Sequence, residues 1–187
     1  MDFSWKPLTP ERWDDFSALF GERGACGGCW CMYWRQTAQG FRESKGEKNR
    51  KSMKKIVSGG TVPGVIGYID GIPAGWAAIA PRGDTPRIAA SRVMAPMDKI
   101  DAWFIPCLFV NKSHRNKGVS TLMIQAACEY AFSQGAPVVE ACPNDLPRGE
   151  RQPAPFVYLG LASAFKKAGF KVATRRSPKR PLMRRFP

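Results

Sequence analysis

The chain has 187 residues, of which 44% are hydrophobic and 24% are charged, and these values suit one soluble globular domain over residues 1–187. The net charge is +14, from 29 Lys and Arg residues against 15 Asp and Glu residues, so the protein attracts anionic partners. No run of about 18 apolar residues occurs, which excludes a membrane-spanning helix. The N-terminus lacks the basic-then-apolar pattern of a signal peptide, so we expect a cytoplasmic protein.

The positive charge is concentrated in two segments, residues 42–55 and 175–185. Such clusters are usually solvated surfaces, which is the interpretation we favour. The alternative is a nucleic-acid-binding surface, because phosphate groups attract Lys and Arg. No aromatic-rich RNA-binding motif accompanies either cluster, so nucleic acid is the less favoured partner.

The first half of the chain predicts one strand, two helices and a hairpin. The helices are indicated by Thr9-Pro10, which suits a helix start, and by apolar spacing after it. Asp70-Gly71 indicates the hairpin turn. The segment GACGGCWCMYWRQ at 24–36 has no readable periodicity. The predicted elements are a strand at 3–8, a helix from Thr9 to about Gly21, a basic helix at 44–57, and two strands on either side of residues 70–71.

The second half alternates strands and helices around one long loop. Residues 143–157 contain four prolines and no periodic pattern, so we expect a loop there. The other predicted elements are a strand at 102–110, a helix at 120–134, a short buried strand at 136–143, a helix at 158–170, and strands at 170–176 and 180–186. This order predicts an α/β fold in which helices flank a mixed central sheet.

The segment FVNKSHRNKGVSTLM at 109–123 runs from a strand into a helix through Gly118. Backbone N–H groups at such a helix start bind phosphate, and Gly118 lets a ligand approach the backbone. Arg115 and Lys117 add positive charge. The spacing alone leaves two interpretations open, an anion-binding loop or a plain connection with solvated basic residues. Neither the Walker pattern nor the dinucleotide fingerprint is present.

The sequence Arg115-Asn116-Lys117-Gly118-Val119-Ser120 resembles the Arg/Gln-x-x-Gly-x-Gly/Ala motif of the GNAT superfamily of acyl-CoA N-acyltransferases. The preceding strand, the segment AFKKAGF and the element order extend the resemblance over nearly the whole chain. GCWCMYWR and RRSPKRPLMR resemble a bacterial subgroup without assigned substrates. The resemblance implies one N-acetyltransferase domain over 1–187 with the GNAT fold. It also implies direct transfer of an acetyl group from acetyl-CoA to a primary amine of a small molecule or peptide.

The resemblance also implies where coenzyme A binds. Its pyrophosphate would contact the backbone N–H groups of Arg115, Asn116, Lys117, Gly118, Val119 and Ser120. Its pantetheine arm would pair with the strand edge at Leu108, Phe109 and Val110, where the strand separates from the next one at 138–141. Ser120 departs from the motif, but its side chain is small and suits a helix start.

Two catalytic residues are predicted, each with a structural alternative. Glu140, beside the expected gap, is the candidate base, or else it pairs with a nearby Lys or Arg. Many family members have a tyrosine acid where this chain has Phe165. Tyr158 is therefore the candidate acid, predicted to lie two helical turns earlier on the same face, or else it lines the pocket while solvent protonates the thiolate. A backbone N–H near Val110 would stabilise the oxyanion.

The segment with Cys26, Cys29 and Cys31 is predicted to shape the acceptor site, with Trp30 and Trp34 contacting the substrate, or else these aromatic residues belong to the core. Three thiols lack the fourth ligand of a closed zinc site, so no metal is expected. Two other functions remain open on the same fold. One is a catalytically weak acyl-CoA-binding protein, and the other is a nucleic-acid-binding or ribosome-associated protein. Homodimer formation through the C-terminal strands is also left open.

Overall fold

The strands and helices follow the predicted order in a computed structural model, which describes residues 1–147, 149–150 and 152–187. The strands are β1 Phe3–Pro7, β2 Gly64–Ile69, β3 Ile72–Pro81, β4 Trp103–Val110, β5 Val139–Ala141, β6 Lys171–Arg175 and β7 Pro181–Arg185. The helices are α1 Trp13–Phe20, α2 Ala38–Glu43, α3 Glu47–Ser58, α4 Pro86–Ala89, α5 Val119–Ser133 and α6 Ala162–Lys167. No helix among the described residues has the length and apolar character needed to cross a membrane.

The strands form one seven-stranded sheet in the order β1-β2-β3-β4-β5-β7-β6. The β2–β3 hairpin turns at Asp70-Gly71, as the sequence predicted, and pairs Ile69 with Ile72. Every pairing is antiparallel except that of β4 with β5, which is parallel. The predicted mixed sheet with flanking helices is therefore confirmed.

Alternating side chains of the central strands are buried on both faces of the sheet. Ala77 and Ile79 of β3 pack with Met123 of α5 on one face, in a cluster that also includes α6. Trp76 and Ala78 project to the other face, in a cluster with α1 and α3. Both faces are thus covered, and β3 and β4 are central and rigidly held.

Strands β4 and β5 separate soon after they meet. They pair only at Trp103 with Val139 and at Phe104 with Glu140, although β4 continues to Val110. The edge of β4 beyond Phe104 therefore faces a gap instead of a neighbouring strand. Its backbone groups there are available to other partners.

Four segments differ from their predictions. Helices α2 and α4 occupy residues that had no predicted element, and Thr37 caps α2 by accepting a hydrogen bond from the Gly40 N–H. Helix α6 begins only at Ala162, because Gly160 has a φ of +80° and interrupts the helix predicted for 158–170. Tyr158 therefore does not share a helix face with Phe165. The described part of the predicted loop 143–157 has one short helical turn, Ala154–Phe156, and residues 148 and 151 lie outside the described residues.

Candidate active site

The start of α5 presents backbone N–H groups with no side chain capping them. Gly118 precedes the helix with a φ of +81°, and no side chain bonds to the helix start. The carbonyl of Gly118 accepts from the Thr121 and Leu122 N–H groups, which leaves the first amides of the helix directed outward. Asn116 has a φ of +61°, so two left-handed residues shape the turn. Such a turn with a helix start is a phosphate-binding geometry.

A cavity of about 540 Å³ lies in front of this helix start, and we call it the cradle cavity. It contains most of the residues predicted to bind coenzyme A, and Lys117 is the one that does not line it. The predicted residues that line it are Leu108, Phe109, Val110, Arg115, Asn116, Gly118, Val119 and Ser120. The end of β4 and the start of α5 therefore form one site.

Two contacts already occupy part of the open edge of β4. The Leu108 N–H donates to the carbonyl of Tyr158 at 2.6 Å, and the Arg115 Nε donates to the carbonyl of Val110 at 3.0 Å. Because strand amides alternate in direction, the Val110 N–H points to the same edge as the Leu108 N–H. The Leu108 N–H is therefore already bonded within the protein, while the Val110 N–H faces the gap.

A second cavity of about 520 Å³ opens beside the first, and we call it the aromatic cavity. Aromatic side chains form the largest group in its walls, and thiols of the predicted acceptor segment lie between them. The aromatic residues are Phe20, Tyr33, Trp34, Phe41, Phe109, Phe156 and Tyr158. It shares Leu108, Phe109, Arg115 and Ala154 with the cradle cavity, so the two cavities meet at the end of β4.

The segment that carries Tyr33 and Trp34 is held by α3 and by an arginine. A Cβ at Gly28 would lie 2.3 Å from the backbone nitrogen of Gly46, so only glycine allows this close approach to the start of α3. The carbonyl of Gly28 also accepts from the Asn49 side-chain amide at 3.0 Å. The Arg87 guanidinium stacks 3.8 Å from the centre of the Tyr33 ring. These contacts position one wall of the aromatic cavity.

Tyr158 also lines the aromatic cavity and lies next to Tyr33. The two rings meet edge to face with 5.9 Å between their centres. Burial and the neighbouring Tyr33 phenol raise the pKa of Tyr158 to about 12. The phenol is therefore protonated at neutral pH and can donate a hydrogen bond into the site. Phe165, at the family's usual acid position, is fully buried in the core.

Glu140 lies away from both cavities in a buried ion-pair cluster. Its side chain has no exposed surface and pairs with Arg82 and Arg184, and Arg184 also pairs with Asp98. Neither cavity is lined by Glu140. The structural alternative is thus favoured over the predicted catalytic base, because a carboxylate held by two guanidiniums is a poor proton acceptor.

Trp30 also differs from its prediction. It is 3% exposed and stacks on Trp13 and Phe20 in the core, and it lines neither cavity. Cys31 lines the aromatic cavity and its Sγ accepts from the Trp76 indole N–H at 3.2 Å. Among the described residues, no three His, Cys, Asp or Glu side chains are grouped to hold a metal ion.

A third, smaller cavity of about 360 Å³ adjoins the aromatic cavity, and we call it the basic pocket. It shares Phe156 and Tyr158 with the aromatic cavity, and its other walls include Asn144, Lys179 and Arg180. The sequence did not single out Lys179 and Arg180 as site residues, because the fold alone brings the β6–β7 connection to the 143–157 loop. Phe41 and Phe156 were missed for the same reason.

The comparisons with known proteins agree with this geometry. Residues 29–147 match the model of the acetyltransferase (GNAT) family, so the chain belongs to that family. No curated protein matches the chain in sequence.

Several solved structures share the fold at low sequence identity. PaiA N-acetyltransferase from Thermoplasma acidophilum, in complex with coenzyme A, is 12% identical with a TM-score of 0.54, and the match covers 100% of both chains. A GNAT-family acetyltransferase from Streptococcus agalactiae is 12% identical with a TM-score of 0.57, covering 99% of this chain and 95% of the other. Aminoglycoside acetyltransferase AAC(6')-Ib, in complex with coenzyme A, is 14% identical with a TM-score of 0.52 and the same coverages. At sequence identities of 12–14%, these comparisons show a shared fold and not a shared substrate.

Proposed function

We propose that this protein is an acetyl-CoA-dependent N-acetyltransferase that transfers the acetyl group directly to a primary amine of a small molecule or peptide. The observation that carries the proposal is that the cradle cavity and the aromatic cavity meet at the open end of β4. Coenzyme A bound in the first would direct its thioester toward an amine in the second. The complexes of PaiA and AAC(6')-Ib with coenzyme A support this choice of acyl donor.

The residues of the cradle cavity fit coenzyme A. The uncapped amides of Val119 and Ser120 suit the pyrophosphate, and Arg115 adds positive charge at the same wall. The Val110 N–H suits the thioester oxygen, since an amide donor beside the open strand edge stabilises a developing oxyanion.

The reaction follows from these positions. The neutral amine nitrogen attacks the thioester carbon, an N–C bond forms, and the C–S bond breaks to release the thiolate of coenzyme A. The proton on the attacking nitrogen passes to water, because no carboxylate among the described residues lines the aromatic cavity. Tyr158 donates a hydrogen bond to the leaving sulfur, which stabilises the thiolate until it is protonated.

Thiol release from acetyl-CoA tests the proposal. The protein is mixed with acetyl-CoA and a panel of amines that includes amino acids, peptides, polyamines and aminoglycosides, and free thiol and the acetylated amine are both measured. We expect amine-dependent thiol release with one acetylated product for each thiol. Binding of acetyl-CoA without any acetylated product would instead identify a protein that only binds acyl-CoA.

A further inference from the structure

We propose that the acceptor is an amine that carries both an aromatic or large apolar group and an acidic group, such as an aromatic amino acid or an aminobenzoate. This inference rests on the proposed function and names the acceptor class for the same site. It excludes polyamines and aminoglycosides as preferred acceptors, although the fold is shared with an aminoglycoside acetyltransferase.

The walls of the aromatic cavity favour an apolar acceptor. Tyr33, Trp34, Phe41, Phe156 and Tyr158 surround a volume of about 520 Å³, which is enough for a small aromatic molecule. Aromatic side chains stabilise a bound ring by apolar burial and by edge-to-face contact. A sugar or polyamine entering the same space would lose water contacts that these walls do not replace.

The charge around the cavity disfavours a cationic acceptor. No Asp or Glu among the described residues lines the aromatic cavity or the basic pocket. The charged side chains there are instead Lys45 and Arg115 in the first, and Lys179 and Arg180 in the second. One aromatic face that could bind a cation is already taken, because Arg87 stacks on Tyr33.

The basic pocket provides a position for an acidic group. Arg180 is half-buried there beside Asn144, and its positive charge acts on the Tyr158 phenol. Within the described part of the chain, no carboxylate forms an ion pair with Lys45, Lys179 or Arg180. A carboxylate carried by the acceptor would be the missing partner of Arg180, while its ring occupies the aromatic cavity across Phe156 and Tyr158.

The same surroundings make an amine reactive without a dedicated base. An apolar cavity with nearby cations disfavours an ammonium ion, so the pKa of a bound amine falls. An amine of low basicity is therefore the better acceptor, because it enters neutral and needs to lose its proton only during transfer. Arylamines meet this requirement, since they are neutral at physiological pH, whereas the amines of polyamines are about as basic as a Lys side chain.

Two matched acceptors test the charge requirement on the full-length protein. L-phenylalanine and L-phenylalaninamide share the ring and the amine and differ in the negative charge of the carboxylate. We expect kcat/KM for L-phenylalanine to exceed that for the amide, for L-alanine and for spermidine by about tenfold or more. L-phenylalaninamide is the less basic of the two amines, and its lower basicity alone would make it the better acceptor. A preference for L-phenylalanine would therefore have to come from its carboxylate. Equal or better use of the amide, spermidine or kanamycin overturns the inference.

Three variants locate the acidic group. Arg180→Ala removes the proposed partner of the carboxylate, and Lys45→Ala removes the lysine that lines the aromatic cavity. Lys171→Ala is the control, because Lys171 is exposed on β6 and lines none of the three cavities. We expect Arg180→Ala to lower kcat/KM about tenfold for L-phenylalanine and little for its amide, with Lys171→Ala unchanged for both. If neither Arg180→Ala nor Lys45→Ala reduces the preference for the carboxylate, the inference is wrong.

The failure of this inference is distinguishable from that of the proposed function. If calorimetry detects no binding of acetyl-CoA, the proposed function fails and the acceptor class fails with it. If acetyl-CoA binds and cationic amines are the ones acetylated, only the acceptor class is wrong. Binding without acetylation of L-phenylalanine, L-tryptophan or 4-aminobenzoate also overturns the acceptor class.

Discussion

The backbone N–H of Leu108 donates a hydrogen bond to the carbonyl oxygen of Tyr158, with 2.6 Å between the two atoms. Because Leu108 lies on the open edge of β4, this bond holds the segment that contains Tyr158 against β4, where β5 has separated from it. The Tyr158 side chain thereby becomes part of the wall of the aromatic cavity. One backbone contact thus caps a strand edge and positions the proposed hydrogen-bond donor to the leaving group.

Replacing Tyr158 by Phe should slow the chemical step without weakening the binding of acetyl-CoA. The backbone bond to Leu108 stays and only the phenol is lost, so we expect kcat to fall by about tenfold to a hundredfold. Steady-state kinetics and a calorimetric titration with acetyl-CoA measure the two effects separately. Unchanged kcat would mean that solvent alone protonates the thiolate and that Tyr158 only lines the cavity.

The pH profile gives an independent test of the same residue. Because the pKa of Tyr158 is raised to about 12, the phenol stays protonated throughout the neutral and mildly alkaline range. The kcat of the wild-type protein should therefore show no falling alkaline limb from Tyr158 below about pH 10. A limb near pH 8 that disappears in Tyr158→Phe would contradict the raised pKa.

Glu140→Gln should destabilise the protein rather than remove a catalytic base. The variant removes the carboxylate that pairs with Arg82 and leaves Asp98 as the remaining partner of the buried Arg184, and we expect a loss of about 3 kcal/mol in the free energy of unfolding. Urea unfolding measures the loss, and kcat of the folded protein should change little. A collapse of kcat at unchanged stability would instead identify Glu140 as the base that the sequence predicted.

Asp98 should make stability depend on acid pH. Its hydrogen bond with Arg184 holds the pKa of Asp98 at about 2, below the ordinary value of 3.8. Because the folded-state pKa is lowered, the stabilisation is present above pH 3.8 and is lost as the pH falls through about 2. Unfolding of the wild type and of Asp98→Asn, compared between about pH 5 and pH 2, should converge at the acid end. A constant difference across this range would contradict the ion pair.

The cysteines should react with iodoacetamide in an order set by exposure and burial. Cys26 is exposed and lines the aromatic cavity, so it should be alkylated first and its alkylation should slow turnover. Burial raises the pKa of the Cys142 thiol to about 11 and that of Cys128 to about 12, so both should react only after unfolding. Peptide mass mapping checks the order, and Cys26→Ser is the control that should keep its turnover after treatment. Early alkylation of Cys128 would contradict its position in the core.

The strands and the cradle could be predicted from sequence because their signals are local. Asp70-Gly71 indicates its hairpin by turn chemistry, and Gly118 indicates its helix start by the need for a left-handed residue. The resemblance of Arg115 to Ser120 to the family motif added the expectation that coenzyme A binds there. The hairpin turn and the helix start are determined by residues adjacent in the sequence, so the sequence alone predicts them.

The aromatic cavity and the basic pocket could be predicted only in part, because contacts between distant segments assemble them. Phe41, Phe156 and Arg180 come from distant segments, and no periodicity relates them. Tyr158 was predicted on a helix because the apolar pattern runs through Gly160, whose positive φ breaks it. Trp30 was predicted at the substrate because aromatic clusters look alike in cores and in pockets, and only burial distinguishes them.

A calorimetric titration of coenzyme A into two glycine variants tests the central claim most directly. Gly118 and Gly135 lie at opposite ends of α5 with φ values of +81° and +83°, and neither has another atom within 4 Å of where a Cβ would lie. Gly118→Glu and Gly135→Glu therefore carry the same backbone strain, but only the first puts a carboxylate into the cradle cavity. We expect the wild type and Gly135→Glu to bind coenzyme A and Gly118→Glu to show no heat of binding. Absence of binding to the wild type, or equal binding to Gly118→Glu, would contradict a coenzyme A site at this helix start.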